Sequence, residues 1–284
     1  MALFGAPHGT PYPGIDNRAH EGSAAAIRAA VTEDARWISH WDFELGGTLL
    51  NGRDDFRFAD LGDLRTSPED GPGNRALIET ATREILAAGA VPVMIGGDDS
   101  VPIPFIAGFA GKGPLTIVQV DAHIDWREER RGERMGFSST MRRASEMAHV
   151  EKIIHVGTRG LGSARPSDVA EARAWGAEII TAREIHAQGV QAALQHVAPG
   201  ANVLITLDWD ALDGAIMPAV ISPTPGGLTY WQVIDLIGGI AQKARIAGMD
   251  VIEFVPERDH ANQSAAYLAG RVLIHLTGQL ARHP

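Results

Sequence analysis

Apolar residues do not fall evenly along this chain. They gather in short runs at 91–95, 115–120, 153–156, 203–207 and 249–254, rich in Val, Ile and Leu. A strand with one wet face alternates apolar and polar residues, whereas a strand covered on both faces reads as a nearly continuous apolar run. Each run therefore predicts a buried strand. Between them the apolar period becomes helical. Residues 74–88 place Leu77, Ala81, Ile85 and Ala88 on one stripe, and 230–244 do the same with Val233, Ile237, Ile240 and Ala244. Thr229 predicts an N-cap for the second helix, and Gly89 a C-cap for the first. Strands alternating with helices predict a three-layer α-β-α fold on a mainly parallel sheet. No change of composition, linker or internal repeat divides residues 1–284, which reads as a single domain.

In such a sheet, ligands sit beyond the C-terminal ends of the strands. The acidic residues fall there. Asp98 and Asp99 follow the first run, Asp121 the second and Asp208 the fourth. Two patterns extend the clusters, Asp121-Ala-His123-Ile-Asp125 and Asp208-Trp-Asp210. If these segments continue as strands, side chains at i, i+2 and i+4 share one face and converge. Carboxylates forced together repel, and loss of water raises the cost. Divalent metal between them removes it, so the pattern predicts a metal site, with room for two ions. Asp98 is expected to hold its loop through backbone hydrogen bonds, His155 to be a core residue, and the mixed-charge segment 127–134 to be a solvated loop.

Composition narrows the chemistry. The formal net charge is -10 with no basic stripe, which argues against nucleic acid and is compatible with a cationic substrate. With no cysteine, thiolate ligands and thiol nucleophiles are excluded, metal is left to carboxylate and imidazole, and a cytoplasmic location is favoured. The chain shows neither the charged start and apolar core of an export signal nor an apolar stretch of the roughly 20 residues that span a bilayer. Its glycines lack nucleotide-binding spacing, and no Gly-x-Ser-x-Gly elbow occurs.

The motifs resemble those of the ureohydrolase family of arginases, agmatinases and related amidinohydrolases. Gly96-Gly-Asp-Asp-Ser100, Asp121-Ala-His-Ile-Asp125, Thr206-Leu-Asp-Trp-Asp-Ala-Leu-Asp213 and Asp250-Val-Ile-Glu253 with Pro256 follow the family's order, with weaker echoes at Ala59–Asp63, Gly157-Thr-Arg-Gly160 and Gly226-Gly-Leu228. The resemblance implies an arginase-like fold and two Mn²⁺ ions sharing a bridging water or hydroxide. It implies that Asp121 and Asp208 bridge the ions, that His123 and Asp210 complete one site, and that Asp125 and Asp99 complete the other. Glu253 would hold the substrate guanidinium, and Glu253 and Asp125 would be the catalytic residues; His8, apart from the resemblance, is expected at the pocket mouth because of its Pro7-His-Gly-Thr-Pro11 loop. The implied activity is hydrolysis of a guanidino or amidino C–N bond with release of urea, agmatine being the first substrate expected and guanidino acids the next. A homotrimer or homohexamer is the implied assembly.

Two positions depart from the pattern. Asp99 stands where relatives usually carry histidine, giving five carboxylates. The extra negative charge should raise the pKa of metal-bound water and move the pH optimum upward. Relatives also carry a proton-shuttling histidine near Ser138, whereas Met135 or Phe137 stands here. A smaller change is Asp213-Gly214 in place of Asp-Pro, before the loop 215–227. These departures leave two alternatives: a non-catalytic or regulatory subunit on the same scaffold, or a formimino- or acyl-amide hydrolase of the same superfamily.

Overall fold

The apolar runs become strands because β-branched side chains fit a pleated surface packed on both sides. The computed structural model describes residues 1–283. In chain order its strands are β1 (Ala2–Ala6), β2 (Trp41–Asp42), β3 (Gly47–Thr48), β4 (Ala59–Asp63), β5 (Pro92–Gly96), β6 (Leu115–Val120), β7 (Val150–Thr158), β8 (Glu178–Thr181), β9 (Asn202–Asp208) and β10 (Arg245–Ile252). β2 and β3 form a small antiparallel ribbon. The other eight make one sheet in the order β4-β1-β5-β10-β9-β6-β7-β8, and every neighbouring pair is parallel.

The five strands expected from the apolar runs are the five central neighbours β5, β10, β9, β6 and β7. The strands that gave no signal lie outboard. β4, Ala-Asp-Leu-Gly-Asp, is exposed throughout, and its two carboxylates suit an edge that must not pair with another chain. β1, Ala-Leu-Phe-Gly-Ala, is wholly buried but contains no β-branched residue. β8 has only four residues.

Successive residues on a strand face opposite ways, so the sheet carries two cores. Leu3, Val93, Ile95, Val118 and Val120 pack with the helices Ser23–Ala35, Tyr230–Lys243 and Ser264–Arg282. Phe4, Met94 and Ile117 pack on the other side with Gly71–Ala87 and Pro102–Ala107. This is the three-layer α-β-α arrangement expected.

Helix ends obey local rules. Thr229 caps Tyr230–Lys243, its hydroxyl accepting from Gln232 N while the Gln232 side chain accepts from Thr229 N. In Gly71–Ala87 Ile85 is buried as expected, but the first two turns of the stripe are rotated by one residue, from Leu77 and Ala81 to Ile78 and Thr82. The buried face is Asn74, Ile78, Thr82 and Ile85, and Leu77 is 41% exposed. Hydrogen bonding explains the rotation. Asn74 donates to Gly9 O and Ser67 O, and the Thr82 hydroxyl donates to Ile78 O, so both polar side chains are satisfied in the interior.

Candidate metal centre

Because the sheet is parallel, the C-terminal ends of β5, β10, β9 and β6 meet along one edge as adjacent strands. At or just beyond these ends stand, in that order, Asp98 and Asp99, then Glu253, then Asp208 and Asp210, then Asp121, His123 and Asp125. The sheet thus gathers residues more than a hundred positions apart.

Local convergence does not come from strand pleating. β6 ends at Val120 and β9 at Asp208, so the i, i+2, i+4 argument fails beyond those points. Asp210 lies instead in the 3-10 turn Trp209–Ala211, where its N–H donates to Asp208 Oδ1 at 2.7 Å. His123 N donates to Asp121 Oδ1 at 2.6 Å, and Ala122 N donates to Asp210 Oδ1 at 3.1 Å. Asp125 bends back with a φ of 43° and Glu253 with a φ of 66°. Both lie in the left-handed region that costs a non-glycine residue energy and that functional sites often retain.

Two overlapping triplets result. In Asp121, His123 and Asp210, and again in Asp99, Asp121 and Asp125, one ligating atom per residue lies within 4.8 Å of the others. Asp121 belongs to both. Asp208 belongs to neither, but it lines the same cavity. His123 Nδ1 is 3.3 Å from Asp121 Oδ1 and 3.1 Å from Asp210 Oδ2.

The electrostatics are those of carboxylates crowded together in a buried site, which a cation would relieve. Burial, and then the charges of Asp125, Asp121 and Asp208, push Asp99 well above the ordinary carboxylate range. Burial and neighbouring carboxylates do the same to Asp125 and Asp208. His123 is raised to about 12: burial alone would lower it, but hydrogen bonds and charge from Asp121 and Asp210 overcome that. Burial would raise Asp121, yet its bonding to His123 holds it below the usual range. Without metal, a proton on the imidazole does the neutralising. Most telling, both Asp99 carboxylate oxygens are buried with no hydrogen-bond donor, although buried polar atoms are normally paired. An oxygen-rich set with a single imidazole fits a hard divalent ion such as Mn²⁺.

A layer behind the carboxylates was not visible as a motif. Gln119 Nε2 donates to Asp121 Oδ2 at 2.7 Å and to Asp125 Oδ2 at 2.8 Å. Its Oε1 contacts Nδ1 of fully buried His155, which burial lowers to about 4 and so keeps neutral. His155 is thus a core residue as expected, and it also orients the amide that orients two candidate ligands, a recurring arrangement around metals. Arg159, within one of the weaker motif echoes, donates to the carbonyls of Asp210, Ala211 and Leu212 and so fixes the 3-10 turn. Asp98 accepts from Ser100 N and Oγ, in the loop-holding role expected.

These residues border a cavity of about 410 Å³, lined on its floor by Asp99, His123, Asp125, Asp208, Asp210 and Glu253. Glu253 Oε1 accepts from Asp99 N at 2.9 Å, and Oε2 lies 3.4 Å from His20 Nε2. Burial raises Glu253 to about 7 against the opposing influence of His20. His20 is a site residue the sequence did not reveal, since its segment carries no motif. His8 is not among the lining residues. It is 7% exposed, with Nδ1 against Thr66 Oγ1 and Nε2 against Glu21 Oε1, both at 3.0 Å. Of the two candidates for the missing shuttle position, Phe137 faces the cavity and Met135 does not. Asp213 accepts from Ala215 N, Gly226 N and Gly227 N, tying down the loop whose Val220, Ile221 and Ser222 form part of the wall.

Asp250 sits beside the site without entering it. It is fully buried in β10, accepts from Thr206 Oγ1 at 2.6 Å, and is raised by burial to about 8. The folded chain therefore holds a proton here that the unfolded chain releases near pH 4, and stability must fall as pH rises from about 4 to 8. Asp250→Asn removes this titration. The stability of the variant relative to the wild type should climb between pH 5 and 8 by at most about 1.4 kcal/mol per pH unit, read as a widening difference in melting temperature. Parallel melting curves would refute the assignment.

The fold and the acidic pocket define a parallel α/β protein with a cluster of carboxylates and one imidazole that could hold a cation at the carboxyl edge of its sheet. Residues 1–278 match the arginase family model, and the chain belongs to that family. Over 197 residues it is 34% identical to N(1)-aminopropylagmatine ureohydrolase of Thermus thermophilus, covering 69% of this chain and 65% of the relative. It is 28% identical to the human mitochondrial guanidino acid hydrolase, covering 77% and 63%. The matches thus span just under two thirds of these relatives. Among solved structures, proclavaminate amidino hydrolase from Streptomyces clavuligerus superposes with a TM-score of 0.86 at 26% identity, covering 100% of this chain and 92% of that one.

Proposed function

We propose that the chain is a Mn²⁺-dependent hydrolase that cleaves the C–N bond of a guanidino compound and releases urea, with Asp99, Asp121, His123, Asp125, Asp208 and Asp210 as the metal ligands. The observation that carries this reading is the buried Asp99 carboxylate, without any donor, inside two overlapping triplets of ligating atoms. Family membership supports the same chemistry.

When bound, two such ions would supply the positive charge that lets water ionise near neutral pH and that offsets charge developing at the guanidinium carbon. The chain does the rest. Glu253, its carboxylate at the cavity floor, pairs with the guanidinium and orients its carbon toward the metal ligands. Asp125, which lines the cavity beside Asp99 and Asp121, would take part in proton movement at the attacking water. Water adds to the carbon, the C–N bond to the substrate tail breaks, the tail nitrogen leaves as an amine that picks up the proton, and urea remains. Neither Met135 nor Phe137, the two residues that could stand at the shuttle position, transfers a proton, and His20 beside Glu253 supplies a second imidazole in the cavity.

Elemental analysis after Mn²⁺ loading, followed by product analysis, tests the reading. About two ions per chain and urea from a guanidino compound are expected. No bound metal would overturn it in favour of a non-catalytic subunit, and formamide or ammonia without urea would point to the formimino chemistry. We assign the chain to the cytoplasm as a homo-oligomer. Among the described residues no helix is long and apolar enough to cross a membrane. Trp37, Trp41 and Phe43, 58%, 62% and 90% exposed, form apolar surface that assembly would cover. A monomer in sedimentation would contradict the assembly.

A further inference from the structure

The rim of the cavity carries the charge opposite to its floor. Arg127 and Arg130, on the loop that follows Asp125, both line it. That loop was expected to be a solvated mixture of charges, and its carboxylates are indeed occupied elsewhere. Glu128 binds Arg134 and Arg143, Glu129 accepts from Gly132 N, and Glu133 accepts from Met135 N. Across the mouth, Asp16 is held by the backbone and guanidinium of Arg18 at 3.0 and 3.2 Å. Among the described residues, no carboxylate pairs with either Arg127 or Arg130.

Arg130 is nevertheless fixed. Its guanidinium carbon stands 5.3 Å from the ring centre of Tyr12 and 5.6 Å from that of Phe137. The two rings meet edge to face at 4.7 Å. Tyr12 is buried, its hydroxyl accepting from Ser138 N at 3.0 Å. Aromatic faces position a cation without cancelling its charge. The result is a preorganised, uncompensated fork of donors at the mouth of an acidic cavity, the arrangement that recognises a planar anion.

Resting on the hydrolase reading above, we propose that Arg130, assisted by Arg127, binds a carboxylate at the far end of the substrate, so that the chain acts on ω-guanidino carboxylates in preference to guanidino amines. The guanidinium end meets the acidic floor, and the carboxylate end meets the arginine rim. Agmatine, the first expectation from the motifs, would bring its ammonium against two unpaired guanidiniums. Phe137, which cannot shuttle protons, gains a reason to be where it is: it forms the platform under Arg130.

The test compares 4-guanidinobutyrate with agmatine, which carries an ammonium in place of the tail carboxylate. The Mn²⁺-loaded full chain is assayed for urea release and, separately, for binding by calorimetry, as wild type and as Arg130→Gln. Arg130 is partly exposed on a loop, so the variant should fold. A charge-assisted pair lost here should reduce the preference for the carboxylate substrate by about 10- to 100-fold, mainly through KM and binding. Wild-type preference for agmatine, or an unchanged ratio in Arg130→Gln, would overturn this proposal while urea release kept the hydrolase reading intact. Carboxylate-dependent binding lost in the variant, without urea from any substrate, would uphold the rim assignment and overturn the hydrolysis. Neither binding nor urea would overturn both.

Discussion

Stripping divalent metal from the chain is expected to abolish urea release and to lower the melting temperature by an amount that grows with pH. Three carboxylates of the cluster, Asp99, Asp125 and Asp208, have pKa values well above normal when only protein surrounds them. A raised carboxylate pKa means that the folded state retains protons the unfolded chain has lost, so stability falls as pH rises from the unfolded value near 4. Metal-free protein should therefore be most stable in mild acid and weaken toward alkaline pH. Mn²⁺ replaces those protons as the neutralising charge, and its benefit should be largest where the carboxylates most need it. Binding at about 100 times Kd contributes about 2.7 kcal/mol, which would be read as a rise in melting temperature of several degrees. Asp121→Asn strikes the residue shared by both triplets and should lower urea release by about 10³-fold or more, since groups that act as a unit lose function together. Melting curves with and without chelator across pH would decide the matter. Equal melting temperatures in the two conditions would sink the metal assignment.

Glu253→Gln should reduce kcat/KM by about 10²- to 10³-fold while leaving metal occupancy unchanged. Removing one partner of a buried charge pair costs about 3–5 kcal/mol, and part of that is offset here because the amide oxygen still accepts from Asp99 N as Glu253 Oε1 does. The residue's φ of 66° suits glutamine no better than glutamate, so folding should be little altered. Metal content and KM measured on the same preparation separate the roles. A variant that loses Mn²⁺ together with activity would make Glu253 a support of the metal cluster instead of the guanidinium anchor.

The legibility of this chain has a physical pattern. Central strands were readable because covering both faces leaves room for little but Val, Ile and Leu. Outboard strands were not, because β4 is solvated and β1 owes its burial to position, not to residue type. The carboxylates were readable because several acidic motifs fall together at the carboxyl ends of the central strands, although Asp-x-Asp alone more often marks a cap or turn, as Asp208 also does here. A 3-10 turn and left-handed backbone at Asp125 and Glu253 gather them, not the pleat of a strand.

The sequence by itself determined the layer architecture, the edge of the sheet where the acidic residues gather, and the residue types of the candidate cation site, because periodicity and strand-end position are local properties. Only the tertiary structure decided which distant side chains complete that site. His20 reaches Glu253 across more than two hundred residues, Gln119 and His155 stand behind the carboxylates, and Arg130 is held at the rim by Tyr12 and Phe137. It also removed His8 from the cavity wall by bonding it to Thr66 and Glu21. Such pairings depend on which loops the parallel sheet brings side by side, and no local pattern of residues encodes that.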